Sequence, residues 1–120
     1  MPKYDDAQFT QVLEKTVVIP AGAATVAGKF SSFATLILKR LGGSAVTAGT
    51  GATNTVVVRT NGVAISGGTS TAGTTVANAA IPTVSLGNVV VAPGVVIDFI
   101  SGADATGSTS VTLEYSQQNA

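Results

Sequence analysis

Asn54-Thr55-Val56-Val57-Val58-Arg59-Thr60-Asn61-Gly62-Val63-Ala64-Ile65-Ser66 carries the strongest local signal in the chain. Two β-branched runs flank Asn61-Gly62, the pair preferred in a two-residue type I′ hairpin because both central residues need positive φ. In such a loop Thr60 faces Val63 and Val58 faces Ile65. Val56, Val58, Val63 and Ile65 then share the core face, while Val57, Arg59, Ala64 and Ser66 share the other.

The pattern continues on both sides of this hairpin. Thr16 to Ile19 is β-branched and ends at Pro20. Phe33 to Leu41 reads as a long strand with Leu36 and Leu38 on one face, Thr35, Ile37 and Lys39 on the other, and the Gly42–Gly43 pair as its end. Thr74 to Ala77, Thr83 to Leu86 and Asn88 to Val91 read as short strands. Pro93 and Gly94 suit the centre of a type II turn. Val95 to Ser101 follows, with Val95, Ile97 and Phe99 on one face. Thr109 to Ser116 alternates most cleanly, with Val111, Leu113 and Tyr115 in, and Thr112 and Glu114 out. Turn-separated strands without a central helix predict one all-β domain over residues 16–117, an antiparallel jelly roll or related β-sandwich, with a tail at 118–120.

Residues 1–15 differ from the rest, holding five of the twelve charges and both Tyr4 and Phe9. Asp5 and Gln8 have the spacing of a capping box, with Phe9, Val12 and Leu13 on one side of a short helix. The segment reads either as a mobile tail or as an N-terminal arm that orders on a partner. In the second reading Tyr4, Asp5, Asp6, Phe9, Val12 and Leu13 are the partner-binding residues.

No charge occurs from Thr60 to Ile97, and only 10% of the 120 residues are charged, against about a quarter in an average protein. Mean hydropathy is +0.46. The formal net charge is +0, and Lys3, Lys15, Lys29, Lys39, Arg40 and Arg59 form no stripe, which disfavours nucleic acid. The start is too polar for a signal peptide, and no apolar run reaches the ~20 residues of a membrane helix. Synthesis and assembly in a cytoplasm are therefore expected.

The residues that usually do chemistry are missing. His and Cys are absent, which removes the usual neutral-pH base and thiolate ligands. Gly-Thr-Ser-Thr-Ala at 68–72 departs from a nucleophile elbow at its last position, and Ser70 has no His to activate it. Gly28-Lys29 departs from a phosphate loop, with Ala23 where Gly is needed and Phe30 in place of Ser or Thr. Asp98 and Asp104 flank Gly102 and could supply loop carboxylates to Ca²⁺, but a solvated loop with one strand-borne carboxylate explains them more simply. Asp98 has Val96 and Ile100 as neighbours on the same face, so either that face is a protein contact in which Asp98 finds a donor or Asp98 sits at the rim; Arg40 and Arg59 are the only guanidinium groups. Phe30, Phe33, Phe99 and Tyr115 read as core, leaving Tyr4 as the free ring. No enzyme activity, cofactor or metal is expected. Thr-x-Thr at 53–55 and 69–71 lacks the regular spacing of an ice-binding face.

Asn-Thr-Val-Val-Val-Arg-Thr-Asn-Gly at 54–62, Val-Ala-Pro-Gly-Val-Val-Ile-Asp-Phe at 91–99 and Thr-Ser-Val-Thr-Leu-Glu-Tyr at 109–115 together resemble bacteriophage virion domains. The similar group is the small jelly-roll or sandwich domains of capsid decoration proteins, head fibres and tail fibres, and the resemblance covers about residues 16–116. It implies a capsid decoration (cement) protein on the surface of a phage head, with the major capsid protein or another virion protein as partner. The alternative is a receptor- or glycan-binding module of a head or tail fibre. It also implies a homotrimer. Second apolar faces at Ile37, Val57 and Val96 point to a homo-oligomer interface, with a dimer as second choice.

Overall fold

The computed structural model describes residues 11–22, 24–46, 54–72, 79–102 and 107–118. They form eight strands and no helix: β1 (Gln11–Ile19), β2 (Val26–Phe30), β3 (Thr35–Ala45), β4 (Asn54–Thr60), β5 (Val63–Ala72), β6 (Ala80–Val91), β7 (Ile97–Ser101) and β8 (Thr109–Gln118). Two antiparallel four-stranded sheets result, ordered β1-β8-β3-β6 and β2-β7-β4-β5. First pairs with last, second with seventh, third with sixth and fourth with fifth, as if one long hairpin had been folded over on itself.

The core lies between the sheets. Ile19, Leu36, Leu38, Leu41, Val111 and Leu113 from the first sheet meet Val56, Val58, Ile97 and Phe99 from the second. Each fully buried aliphatic side chain of this kind contributes about 1.5–3 kcal/mol. The Asn61–Gly62 turn is as expected: φ is +49° and +79°, and Thr60 faces Val63. The turn at Ala92–Val95 also forms, with Gly94 at φ +82° and the Val95 N–H donating to the Ala92 carbonyl at 3.3 Å.

Several expectations need correction. Val63 is 67% exposed, because it sits at the hairpin tip beyond the facing sheet. The regular hairpin ends at Arg59 and Ala64: the β4–β5 register shifts between Val57 and Arg59, and the extra residues lie on β5. Gly42 and Gly43 do not end β3, which runs on to Ala45. Gly43 has φ +150°, and a Cβ there would lie 2.9 Å from Val111 Cα, so the glycine admits close strand approach. Lys39 is an extra residue relative to β8, a bulge that returns Leu41 to the core side.

Phe33 is not core but fully exposed. Residues 11–15 lie in β1 rather than in a helix, since Gln11 already pairs with Gln117. The strand expected at 74–77 lies outside the described residues; those at 83–86 and 88–91 are joined in β6.

Candidate interaction surfaces

The outward face of the first sheet is ordered in rows. Val12, Ser116, Ile37 and Val90 form one. Val12 and Val90 are exposed, while the Ser116 hydroxyl is buried with no hydrogen-bond partner among the described residues. The next row is Glu14, Glu114, Arg40 and Ser85. Arg40 holds Glu114 with two bonds, Nε to Oε1 at 3.0 Å and Nη2 to Oε2 at 2.7 Å. These bonds hold the Glu114 carboxyl below its ordinary value, aided by the charges of Arg40 and Lys39. The bond to Glu114, with its charge, raises Arg40. Thr16, Thr112 and Gly42 follow, the two hydroxyls 3.1 Å apart. A depression of about 210 Å³ opens over Gly42 and Gly43, walled by Glu14, Arg40, Thr83, Thr112 and Glu114.

The outward face of the second sheet repeats the theme with less water. Val26, Ile100 and Val57 form an apolar row beside a row of Asp98, Arg59 and Ala64. Asp98, only 3% exposed, finds the donor that its position demanded. Arg59 sits directly across from it and binds both oxygens, at 2.7 and 2.9 Å. That hydrogen bonding raises the Arg59 guanidinium above its usual value, against a smaller opposing effect of burial.

At one end of the sandwich three loops are tied together. The Gly94 N–H donates to the Ser32 carbonyl at 2.9 Å. The Asn61 N–H donates to the Val96 carbonyl at 2.8 Å, and the Val96 N–H donates back to Asn61 Oδ1 at 3.1 Å. Residues 31–34, 61–62 and 92–96 carry no charge. They present Phe33 and Val96, with Val63 and Val90 exposed beside them.

The expected partner-binding residues divide accordingly. Tyr4, Asp5, Asp6 and Phe9 lie outside the described residues. Val12 is exposed on β1 and Leu13 is half-buried beside it. Of the expected interface residues, Ile37 lies on the outward face of the first sheet, whereas Val57 is on β4 of the second and Val96 is bonded to Asn61 in the β4–β5 turn. The structure therefore does not gather those three on one surface. Sequence reading missed Phe33, although strand parity marks it: Phe33 shares the odd, outward phase with Thr35 and Ile37, opposite Leu36 and Leu38.

Chemistry remains sparse. No group of three or more His, Cys, Asp or Glu side chains suited to a metal occurs among the described residues. Asp98 is committed to Arg59, and Asp104 lies outside the described residues. Gly28 and Lys29 sit on strand β2, with no helix N-terminus to complete a phosphate loop. No protein-family model, no curated protein and no solved structure matches this chain.

Proposed function

We propose that this chain is a non-enzymatic structural protein of a virion, a capsid decoration protein that binds the outside of a phage head and stabilises it. Its fold on this reading is an eight-stranded jelly roll, supported by the nested strand order β1-β8-β3-β6 over β2-β7-β4-β5. The observation that carries the functional reading is the Phe33 end. A fully exposed aromatic ring stands on three uncharged loops braced by backbone hydrogen bonds. Rigid apolar presentation of this kind suits an anchor that fills a pocket on a protein shell. β1 starts at this same end, where Gln11 and Val12 share the rows of Leu36 and Ile37. The partner is the major capsid protein or another virion protein, and the decoration protein self-associates on its surface after synthesis in the host cytoplasm.

Nucleic acid is a poor partner, because both arginines are held by carboxylates and the lysines do not cluster. Particles lacking the protein should lose tolerance to heat or low salt. Phe33→Ser should abolish attachment while leaving the protein folded. Deletion of residues 1–10 tests the arm without cutting into β1, as removal of 1–15 does. Unchanged particles in the absence of the protein would refute the reading.

The exposed Phe33 ring also favours, as a second reading, a glycan-binding fibre module, since sugars stack on exposed rings. A reproducible glycan-array signal lost in Phe33→Ser would decide for it.

A further inference from the structure

Among the described residues four strands have an open edge: β1 and β6 in the first sheet, β2 and β5 in the second. Three of them carry features that discourage another strand from adding. β2 has an extra residue at Gly28, with φ +69°. β5 makes a wide bulge between Ala64, which faces Arg59, and Thr69, which faces Val57. β6 has two register shifts, positive φ at Gly87 and Asn88, and Pro82, which has no N–H.

β1 is different. Its 9 residues pair with β8 in unbroken register, from Gln11 opposite Gln117 to Ile19 opposite Thr109. Val12, Glu14, Thr16 and Val18 are exposed, and Leu13, Lys15 and Val17 only half-buried. Among the described residues its backbone hydrogen bonds go to β8 alone. Alternate N–H and C=O groups therefore point away from β8 along a straight edge. The deterrents are two charges, the exposed Glu14 and Lys15, whose ammonium lies over the Phe30 ring, 4.8 Å from its centre.

We propose that this edge binds β1 of a second copy, antiparallel about a twofold axis, joining two four-stranded sheets into one. The inference rests on the self-association proposed above and is independent of the shell. Residues directly opposite must face the same side, so the axis passes beside a residue rather than between two. Centring on Glu14 or Lys15 sets like charges against each other, which is unfavourable. Centring on Leu13 or Val17 shortens the paired stretch. Thr16 is the centre that keeps residues 13–19 paired without a like-charge contact. Leu13 then faces the partner's Ile19, Glu14 faces the partner's Val18, and Lys15 faces the partner's Val17. The two cores become continuous along their inner faces, and the trimer implied by resemblance gives way to a twofold pair.

The absence of Cys makes a direct test possible in the full-length chain. In the twofold register Thr16 meets its own copy, with Cβ atoms about 5 Å apart, close to disulfide reach. Val18 is exposed on the same face but lies far from its own copy. Under mild oxidation Thr16→Cys should cross-link into a dimer at least about tenfold more than Val18→Cys, with both variants keeping the wild-type circular dichroism spectrum. Wild-type protein should sediment as a dimer at micromolar concentration, and Thr16→Lys, which sets two ammonium groups together, as a monomer. A wild-type monomer overturns both the self-association and this edge. A wild-type oligomer in which the two cysteines cross-link alike, or in which Thr16→Lys changes nothing, overturns the edge alone.

Discussion

Each outward face of the sandwich carries an arginine directly across from a carboxylate and bound to it by two hydrogen bonds, yet the pairs live in different surroundings. Arg59 and Asp98 have side-chain exposures of 20% and 5%, whereas Arg40 and Glu114 have 59% and 20%. Neighbours account for the difference. The row beside Asp98 is Val26, Ile100 and Val57, which shields it from water. The row beside Glu114 is Thr16, Thr112 and Gly42, and a glycine has no side chain with which to cover Arg40. Similar geometry thus serves two ends. The shielded pair is a structural tie, since an uncompensated buried carboxylate is expensive, while the open pair borders an accessible depression and contributes little to folding.

The largest expected effect follows directly. Arg59→Ala should destabilise the protein by on the order of 3 kcal/mol in urea unfolding, because Asp98 stays behind without its donor. Arg40→Ala should shift the midpoint only slightly; equal losses in the two variants would erase the distinction. Next in size is a contrast between adjacent glycines at the open pair. Gly43→Ala should cost about 2 kcal/mol, since its Cβ collides with the β8 backbone at a positive φ. Gly42→Ala makes one tight contact, with the Thr83 hydroxyl at 3.0 Å, and should lie within about 0.5 kcal/mol of wild type, the gain in strand propensity offsetting that contact.

A smaller effect concerns pH. Arg40 lowers the folded-state value of Glu114, so the pair stabilises the fold above the ordinary carboxylate value of about 4.3. That contribution is lost as pH falls through the lowered folded value. The small stability gap between wild type and Arg40→Ala should therefore close in acid; a gap that widens there would contradict the assignment. Smallest of all, Val63→Thr should leave unfolding within about 0.5 kcal/mol of wild type, because the side chain is in solvent.

Much of the fold was legible because strand alternation and turn chemistry are local. The Asn61–Gly62 and Pro93–Gly94 turns and the inward Leu36, Leu38, Ile97, Phe99, Val111 and Leu113 all follow from neighbouring residues, whereas the choice of Arg59 as the donor for Asp98 depends on the β4–β7 register. What escaped was set at a distance. Lys39 bulges against β8, whose partners lie some seventy residues on, so Leu41 regains the core against its own parity. Gly43 reads as a stop until β8 is seen to require its missing side chain. Val63 looks like core by alternation, but exposure depends on where the facing sheet ends. Phe33 was misread because hydrophobicity was given more weight than phase. The partner-binding residues at positions 4–9 remain a matter of sequence, and those expected at Ile37, Val57 and Val96 fall on different sides.

The pairing of β1 with β8 also sets a timetable. Among the described strands residues 11–19 emerge from the ribosome first, and their hydrogen-bonding partner, residues 109–118, is made last. Until then β1 has two unpaired edges, and Val17 and Ile19 lack the cover they have in the finished sandwich. Closure of the first sheet is consequently a late, long-range step, slow in the way that non-local β contacts are. In the interval the nascent segment is a natural client for a chaperone. A chain interrupted before Thr109 never acquires the finished edge, so only completed copies present it to one another.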